Sequence, residues 1–216
     1  GTLLGSWTAG SLQSTAQVEG VATNGTDVWI VDNKSDKVFK YSGAATRLSG
    51  SQNAASSFSL ASGNTSPKDI VTDGTNLWVV NDSSTDKVFK YTLSGTLVGS
   101  WTISTAGAGS PTGITLDPST PNHLWIVDSA ADKVFQYNGA VGLTSGSAAA
   151  NENFALASGN TNPQGIADPP PPDAELLLEV VQQLQPHHDS EVESAIQGLL
   201  GEPRGRQLHL SNQHEP

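Results

Sequence analysis

The first 168 residues alternate short apolar runs with turns of Ser, Thr, Gly, Asn and Asp. Three stretches are near copies of one another. They are Trp29-Ile30-Val31-Asp32 with Asp36-Lys37-Val38-Phe39-Lys40-Tyr41, Trp78-Val79-Val80-Asn81 with Asp86-Lys87-Val88-Phe89-Lys90-Tyr91, and Trp125-Ile126-Val127-Asp128 with Asp132-Lys133-Val134-Phe135-Gln136-Tyr137. In each, an apolar run, a polar turn and a β-branched and aromatic run predict a β-hairpin. A short strand is expected before each hairpin: Gly20-Val21-Ala22-Thr23 in degenerate form, Asp69-Ile70-Val71-Thr72-Asp73 and Gly113-Ile114-Thr115-Leu116-Asp117. Another is expected after each: Ser57-Phe58-Ser59-Leu60, Leu97-Val98-Gly99-Ser100-Trp101-Thr102 and Asn153-Phe154-Ala155-Leu156.

The repeated tryptophans stand 49 and 47 residues apart. Four strands in such a period make the blade of a β-propeller. A longer period is laid over the first. Residues 1–8 recur as 95–102, an offset of 94, and residues 58–65 recur as 154–161, an offset of 96. Blades therefore alternate between two types, and the repeating unit is a pair.

The pattern Pro-x-Gly-Ile-x-x-Asp, Leu-Trp-Ile-Val-Asp and Asp-Lys-Val-Phe-x-Tyr, read from Pro111 to Tyr137, resembles the NHL repeat. Together with the Ser-Gly-Asn-Thr-x-Pro junctions, residues 1–168 look like repeat regions of large secreted bacterial surface proteins. The resemblance implies a six-bladed ring. Against that pattern the chain offers a fourth strand (residues 1–8), three full blades and a first strand (residues 163–168). The expected fold is thus all-β, a partial propeller of about half a ring. Two sheet edges are then expected to stand open, and such edges seek partners. A homodimer pairing head to tail through them is the expected assembly.

Composition divides the chain again. All 13 aromatic residues lie at or before Phe154. Residues 1–168 hold 13 acidic and 8 basic side chains, and the last 48 hold 8 and 2, so over half of the net charge of −11 sits in the tail. The break falls at Pro169-Pro170-Pro171-Pro172, read as a stiff linker. Beyond it, residues 173–185 show a helical apolar pattern ending at Pro186. Ser190-Glu191-Val192-Glu193 reads as a capping box for a second short helix reaching Gly201. Residues 202–216 are expected to be disordered. The lack of Met suggests a piece of a longer array, and the change at the prolines is also compatible with a mis-joined end.

An acidic chain poor in Lys and Arg argues against nucleic acid and anionic membrane surfaces. Zero Cys removes disulfides, thiol catalysis and zinc–thiolate sites. No apolar run is long enough to span a bilayer.

Antiparallel strands place the turn within each hairpin and the loop leaving each blade at one end. Asp32, Asn81 and Asp128 begin the hairpin turns there. Their oxygens suit a hard cation such as Ca²⁺, although no cofactor is expected. The same residues also cap turns through their own backbone. Asp36, Asp86 and Asp132 read as a charge array or as turn residues. Trp29, Trp78 and Trp125 read as packing between blades. Trp7 and Trp101 fall on outer strands, where a partly exposed aromatic suits an interface. His123 is a lone loop histidine, and His187-His188-Asp189 a helix-linking turn. No Gly-x-Ser-x-Gly, phosphate loop or His-Glu-x-x-His is present, so no catalytic residue is assigned. The expected function is a non-enzymatic binding or structural module of a secreted or surface protein, with an unidentified protein or surface ligand bound through blade loops. The competing class is a metal-dependent propeller lactonase or lyase.

Overall fold

The computed structural model describes residues 1–117 and 119–167. The polyproline linker, the two helical segments and the expected disordered end lie outside the described residues. Among those described, no helix is long and apolar enough to cross a membrane.

The first strand, β1 (Thr8–Ala9), is short. Blade 1 follows with β2 (Val18–Thr23), β3 (Val28–Asp32), β4 (Lys37–Tyr41) and, after a loop containing β5 (Ser51–Gln52), β6 (Ser56–Ser59). Blade 2 contains β7 (Pro67–Thr72), β8 (Asn76–Asn81), β9 (Lys87–Thr92) and β10 (Leu97–Ile103). Blade 3 contains β11 (Pro111–Leu116), β12 (Leu124–Asp128), β13 (Lys133–Tyr137) and, past a loop with a 3₁₀ turn (Ala140–Gly142) and β14 (Ser147–Ala148), β15 (Glu152–Ala155). Within each blade the four strands pair antiparallel in chain order. The twelve strands expected for the three blades are all present.

Both faces of each second strand are buried, so its residues are apolar without alternation. In blade 1, Trp29 and Val31 point into the cluster shared with Ile70, Leu77, Val79, Phe89 and Tyr91 of blade 2. Ile30 points the other way, with Phe39 and Tyr41, toward Trp7 and Ala9. Blade 2 repeats the division: Leu77 and Val79 face blade 1, while Trp78 and Val80 join Ile114, Leu124, Ile126, Phe135 and Tyr137 of blade 3. The blades thus pack face to face, with inner strands β2, β7 and β11 side by side.

The loops between third and fourth strands in blades 1 and 3 do something the repeat alone does not announce. Each reaches back and adds a short parallel strand to the outer strand preceding its blade. β5 pairs with β1, and β14 pairs with β10. Ser6, Thr8 and Gly10 donate N–H bonds to the carbonyls of Leu48, Gly50 and Gln52. Ser100, Thr102 and Ser104 do the same to Thr144, Gly146 and Ala148. Blade 2 has a tight turn in place of such a strap, which explains the pairwise repeat. Gly5 and Gly99 are equivalent positions, and each lets a strap approach. A Cβ on either would lie 2.2 Å from a strap carbonyl oxygen, Leu48 or Thr144.

This arrangement corrects the expected homodimer through open sheet edges. Blades stacked face to face end on sheet faces rather than on unpaired edges. The outer edges of β1 and β10 are filled by strands of the same chain. The expected head-to-tail pairing assumed unpaired strand edges at the two ends of the arc, and those ends are sheet faces instead.

Substituting Gly99 tests the strap. Gly99→Ala forces the strap off β10 because the obstructing atoms are backbone, so it should cost about 1–3 kcal/mol. Gly109→Ala, whose Cβ meets nothing within 4 Å, should fall within about 0.5 kcal/mol of the parent in urea unfolding.

Candidate functional site

The hairpin turns place Asp32, Asn81 and Asp128 at equivalent ends of β3, β8 and β12, all buried. Their oxygens are used. Asp32 Oδ1 accepts from the backbone N–H of Gln17 (2.6 Å) and Lys34 (3.1 Å), and Oδ2 accepts from the Ser35 hydroxyl. Asp128 accepts four backbone N–H groups: Gly109 and Ser110 on Oδ2 (2.8 and 3.0 Å), Ala130 and Ala131 on Oδ1 (2.9 and 2.8 Å). Asn81 Oδ1 accepts from Ser66 N–H (2.8 Å), and its amide donates to Ser83 Oγ (3.1 Å). Each side chain therefore ties its own turn to the loop entering the same blade. A short acceptor in a buried turn satisfies backbone donors that have no other partner. Among the described residues no three His, Asp or Glu side chains converge as metal ligands.

Asp36 and Asp132 occupy the left-handed region, at φ 49° and 51°. Asp86 accepts from Ser83 N–H (3.0 Å). Burial, with Asp86 and Asp128 nearby, raises the Asp82 carboxyl above its usual range, while Lys68 opposes the rise. His123 lies 3.3 Å from the Gln136 amide and 4.0 Å from Asp117. His187-His188-Asp189 falls outside the described residues.

The aromatic candidates are joints. Trp29 and Trp78 are fully buried between blades, each with a lysine ammonium over the ring (Lys40 at 5.3 Å, Lys90 at 5.0 Å). Trp101 is 1% exposed, not partly exposed as its outer-strand position suggested, because blade 3 covers it. Its ring meets Tyr137 at 5.2 Å. Trp7 is half-buried and meets Tyr41 at the same 5.2 Å. At the junction between them, Phe58 meets Tyr91 at 5.5 Å.

These three tyrosines, repeated in register, are the functional residues that sequence reasoning passed over. Each hydroxyl bonds the loop leaving the previous blade. Tyr41 donates to the Gly10 carbonyl (2.6 Å), Tyr91 accepts from Ala61 N–H (3.0 Å) and the Asn64 amide (3.1 Å), and Tyr137 shares a bond with Thr105 Oγ1 (2.8 Å). Burial raises the Tyr137 phenol to about 12, so it stays protonated.

Comparison with known proteins finds no matching family model and no matching curated protein. Among solved structures, the chain is similar to the hydrazine synthase of Kuenenia stuttgartiensis (12% identity, TM-score 0.50, 72% of this chain and 40% of that one). It also aligns with Myxococcus xanthus glutaminyl cyclase (12%, 0.45, 82% and 61%) and with streptogramin B lyase (14%, 0.46, 69% and 44%). The likeness is one of fold alone, and the chain spans less than two thirds of each of these proteins. The fold is of the β-propeller type.

Asp69 is the other residue the sequence left unmarked. It stands on the inner strand of blade 2, in the register occupied by Gly20, Gly113 and Gly165. The inner strands are so close that a Cβ on Gly20 would lie 2.5 Å from Asp69 Oδ1. Asp69 Oδ1 accepts from Ile70 N–H (2.8 Å), and Oδ2 crosses to Ile114 N–H of blade 3 (2.9 Å). Burial raises its carboxyl to about 6, although both N–H bonds pull the other way.

A folded-state value above the unfolded 3.8 means that protonated Asp69 favours the folded chain. That contribution is complete below about pH 4 and lost as pH rises through about 6. Unfolding free energy should therefore show a downward step between those values, on the order of 2–3 kcal/mol. Asp69→Asn should remove the step in urea titrations, and a step that survives the substitution belongs to another group.

Proposed function

We propose that residues 1–167 act as a non-enzymatic binding and structural module made of NHL-type blades, part of a secreted or cell-surface protein. The observation that carries this reading is the use of the loop acids. Asp32 and Asp128, the side chains a metal-dependent lactonase or lyase would turn toward an axial ion, hold backbone N–H groups instead. Releasing those oxygens to a cation would strand several buried donors, each at about 1–3 kcal/mol. The loops are stiffened by the same bonds, which suits a surface that presents contacts without rearranging. The NHL-like wording of the repeats supports the finer assignment, and their Ser, Thr, Gly and Asn-rich, sparsely charged composition supports the surface setting.

Addition of Ca²⁺ or Zn²⁺ at millimolar concentration should leave the melting temperature of the chain unchanged. A ligand at a hundred times its Kd would add about 2.7 kcal/mol to the folded state, which a thermal scan reads easily. A rise of several degrees that disappears in Asp128→Asn would overturn the reading and favour the metal-dependent enzyme.

A further inference from the structure

Phe58 to Thr65 and Phe154 to Thr161 are two copies of one segment, identical except that Ala155 replaces Ser59. In the first copy the segment holds a tyrosine. Phe58 lies against the Tyr91 ring, and the Ala61 N–H and Asn64 amide converge on its hydroxyl. Asn64 is 0% exposed as a result.

The second copy is built the same way. Asn160 N–H donates to the Ala157 carbonyl at 2.8 Å, as Asn64 does to Ala61 at 2.8 Å. Leu156 N–H donates to Asp132 at 2.9 Å, as Leu60 does to Asp36 at 2.8 Å. Yet here Phe154 is 52% exposed, and Ala157 and Asn160 are exposed with it. Beside them Trp125, the counterpart of fully buried Trp29 and Trp78, is half-buried and packs on Phe154 at 6.0 Å. Inner-strand spacing is also kept. Thr112 Oγ1 donates to the Pro163 carbonyl (2.8 Å), and Gly165 Cα lies 2.7 Å from where a Cβ on Gly113 would stand.

We propose that Phe154, the Ala157 N–H and Asn160 form a tyrosine socket, the docking surface for one further β-blade carried by a partner polypeptide. Continuity with the internal junctions specifies the occupant. The two strapped blades meet Trp7 and Trp101, whereas the blade without a strap meets Phe58. A phenylalanine socket thus takes a strapless blade whose third strand reads Asp-Lys-Val-Phe-x-Tyr, with the tyrosine ring on Phe154 and its hydroxyl on Ala157 and Asn160. This rests on the proposed role as a binding module and adds its partner's chemistry. It involves a sheet face, distinct from the edge pairing corrected above.

The probe is a synthetic peptide with the sequence of residues 67–104, added to the full chain labelled for amide NMR. We expect a one-to-one complex with shifts centred on Phe154, Ala157 and Asn160. A Tyr91→Phe peptide should bind about tenfold more weakly, the loss of one hydroxyl bonded at two donors. Phe154→Ala in the chain, which folds because the ring is exposed, should abolish the complex. Since a lone blade peptide can fail to fold, a second arm joins residues 67–104 directly after residue 167. Amide exchange at Asn160 should then slow by at least tenfold relative to the parent chain. No complex together with unchanged Asn160 exchange overturns the proposal, as does binding indifferent to both substitutions. Concentration-dependent shifts of these amides without peptide would make a second copy the occupant and also overturn it. None of these failures touches the metal titration, on which the binding-module reading stands separately.

Discussion

A sheet of four short strands has two apolar faces and no means of covering either by itself. At the two junctions between blades the cover for each face is the neighbouring sheet, and that constraint sets nearly everything else. It makes the second strands apolar on both sides, so Trp29 and Ile30, adjacent in sequence, enter different cores. It also demands something to set the angle between blades, since flat apolar faces slide. The tyrosine at the end of each third strand serves that purpose. Its ring seats on the aromatic residue of the preceding outer strand, and its hydroxyl bonds the loop that follows. An aromatic contact supplies burial and a preferred tilt, and a buried hydroxyl demands a partner, so together they define one position.

Two further devices act on the same junctions from opposite ends. At the periphery, the β5 and β14 straps tie every second junction with parallel strand pairing, which needs a glycine opposite the strap. Toward the inner strands, Asp69 spans from blade 2 to a backbone N–H of blade 3. The strapped junction between blades 2 and 3 therefore has an outer and an inner tie, while that between blades 1 and 2 depends on Phe58, Tyr91 and Asn64. The acidic turns complete the picture. The carboxylates of Asp32 and Asp128 accept backbone N–H groups, so at these turns acidity meets a structural demand.

Much of this was legible in the sequence because the repeats hold register. Trp29, Trp78 and Trp125 located the hairpins, and the flanking strands followed from the period. Their placement as packing between blades matches the burial of Trp29 and Trp78. What escaped notice has physical reasons. Trp101 looked exposed because outer strands normally face water, and nothing in its own strand shows that Tyr137 of another blade covers it. The straps are two-residue pairings in Ser, Gly and Ala-rich loops, too short for any periodicity. Asp69 gave one signal, its departure from glycine at a fixed repeat position. Yet the spacing of inner strands that gives this departure meaning exists only in three dimensions.

The claim that tyrosine junctions lock blade to blade is tested most directly by a double-mutant cycle on Trp101 and Tyr137. Leucine at each position keeps apolar bulk and removes the ring pair. Urea unfolding of the parent, both single variants and the double variant gives the coupling between the two side chains. The account predicts a coupling of about 1 kcal/mol or more, beyond what burial of each ring contributes. Effects that add to within about 0.3 kcal/mol would mean that the rings fill space independently and that the junctions are fixed by something else.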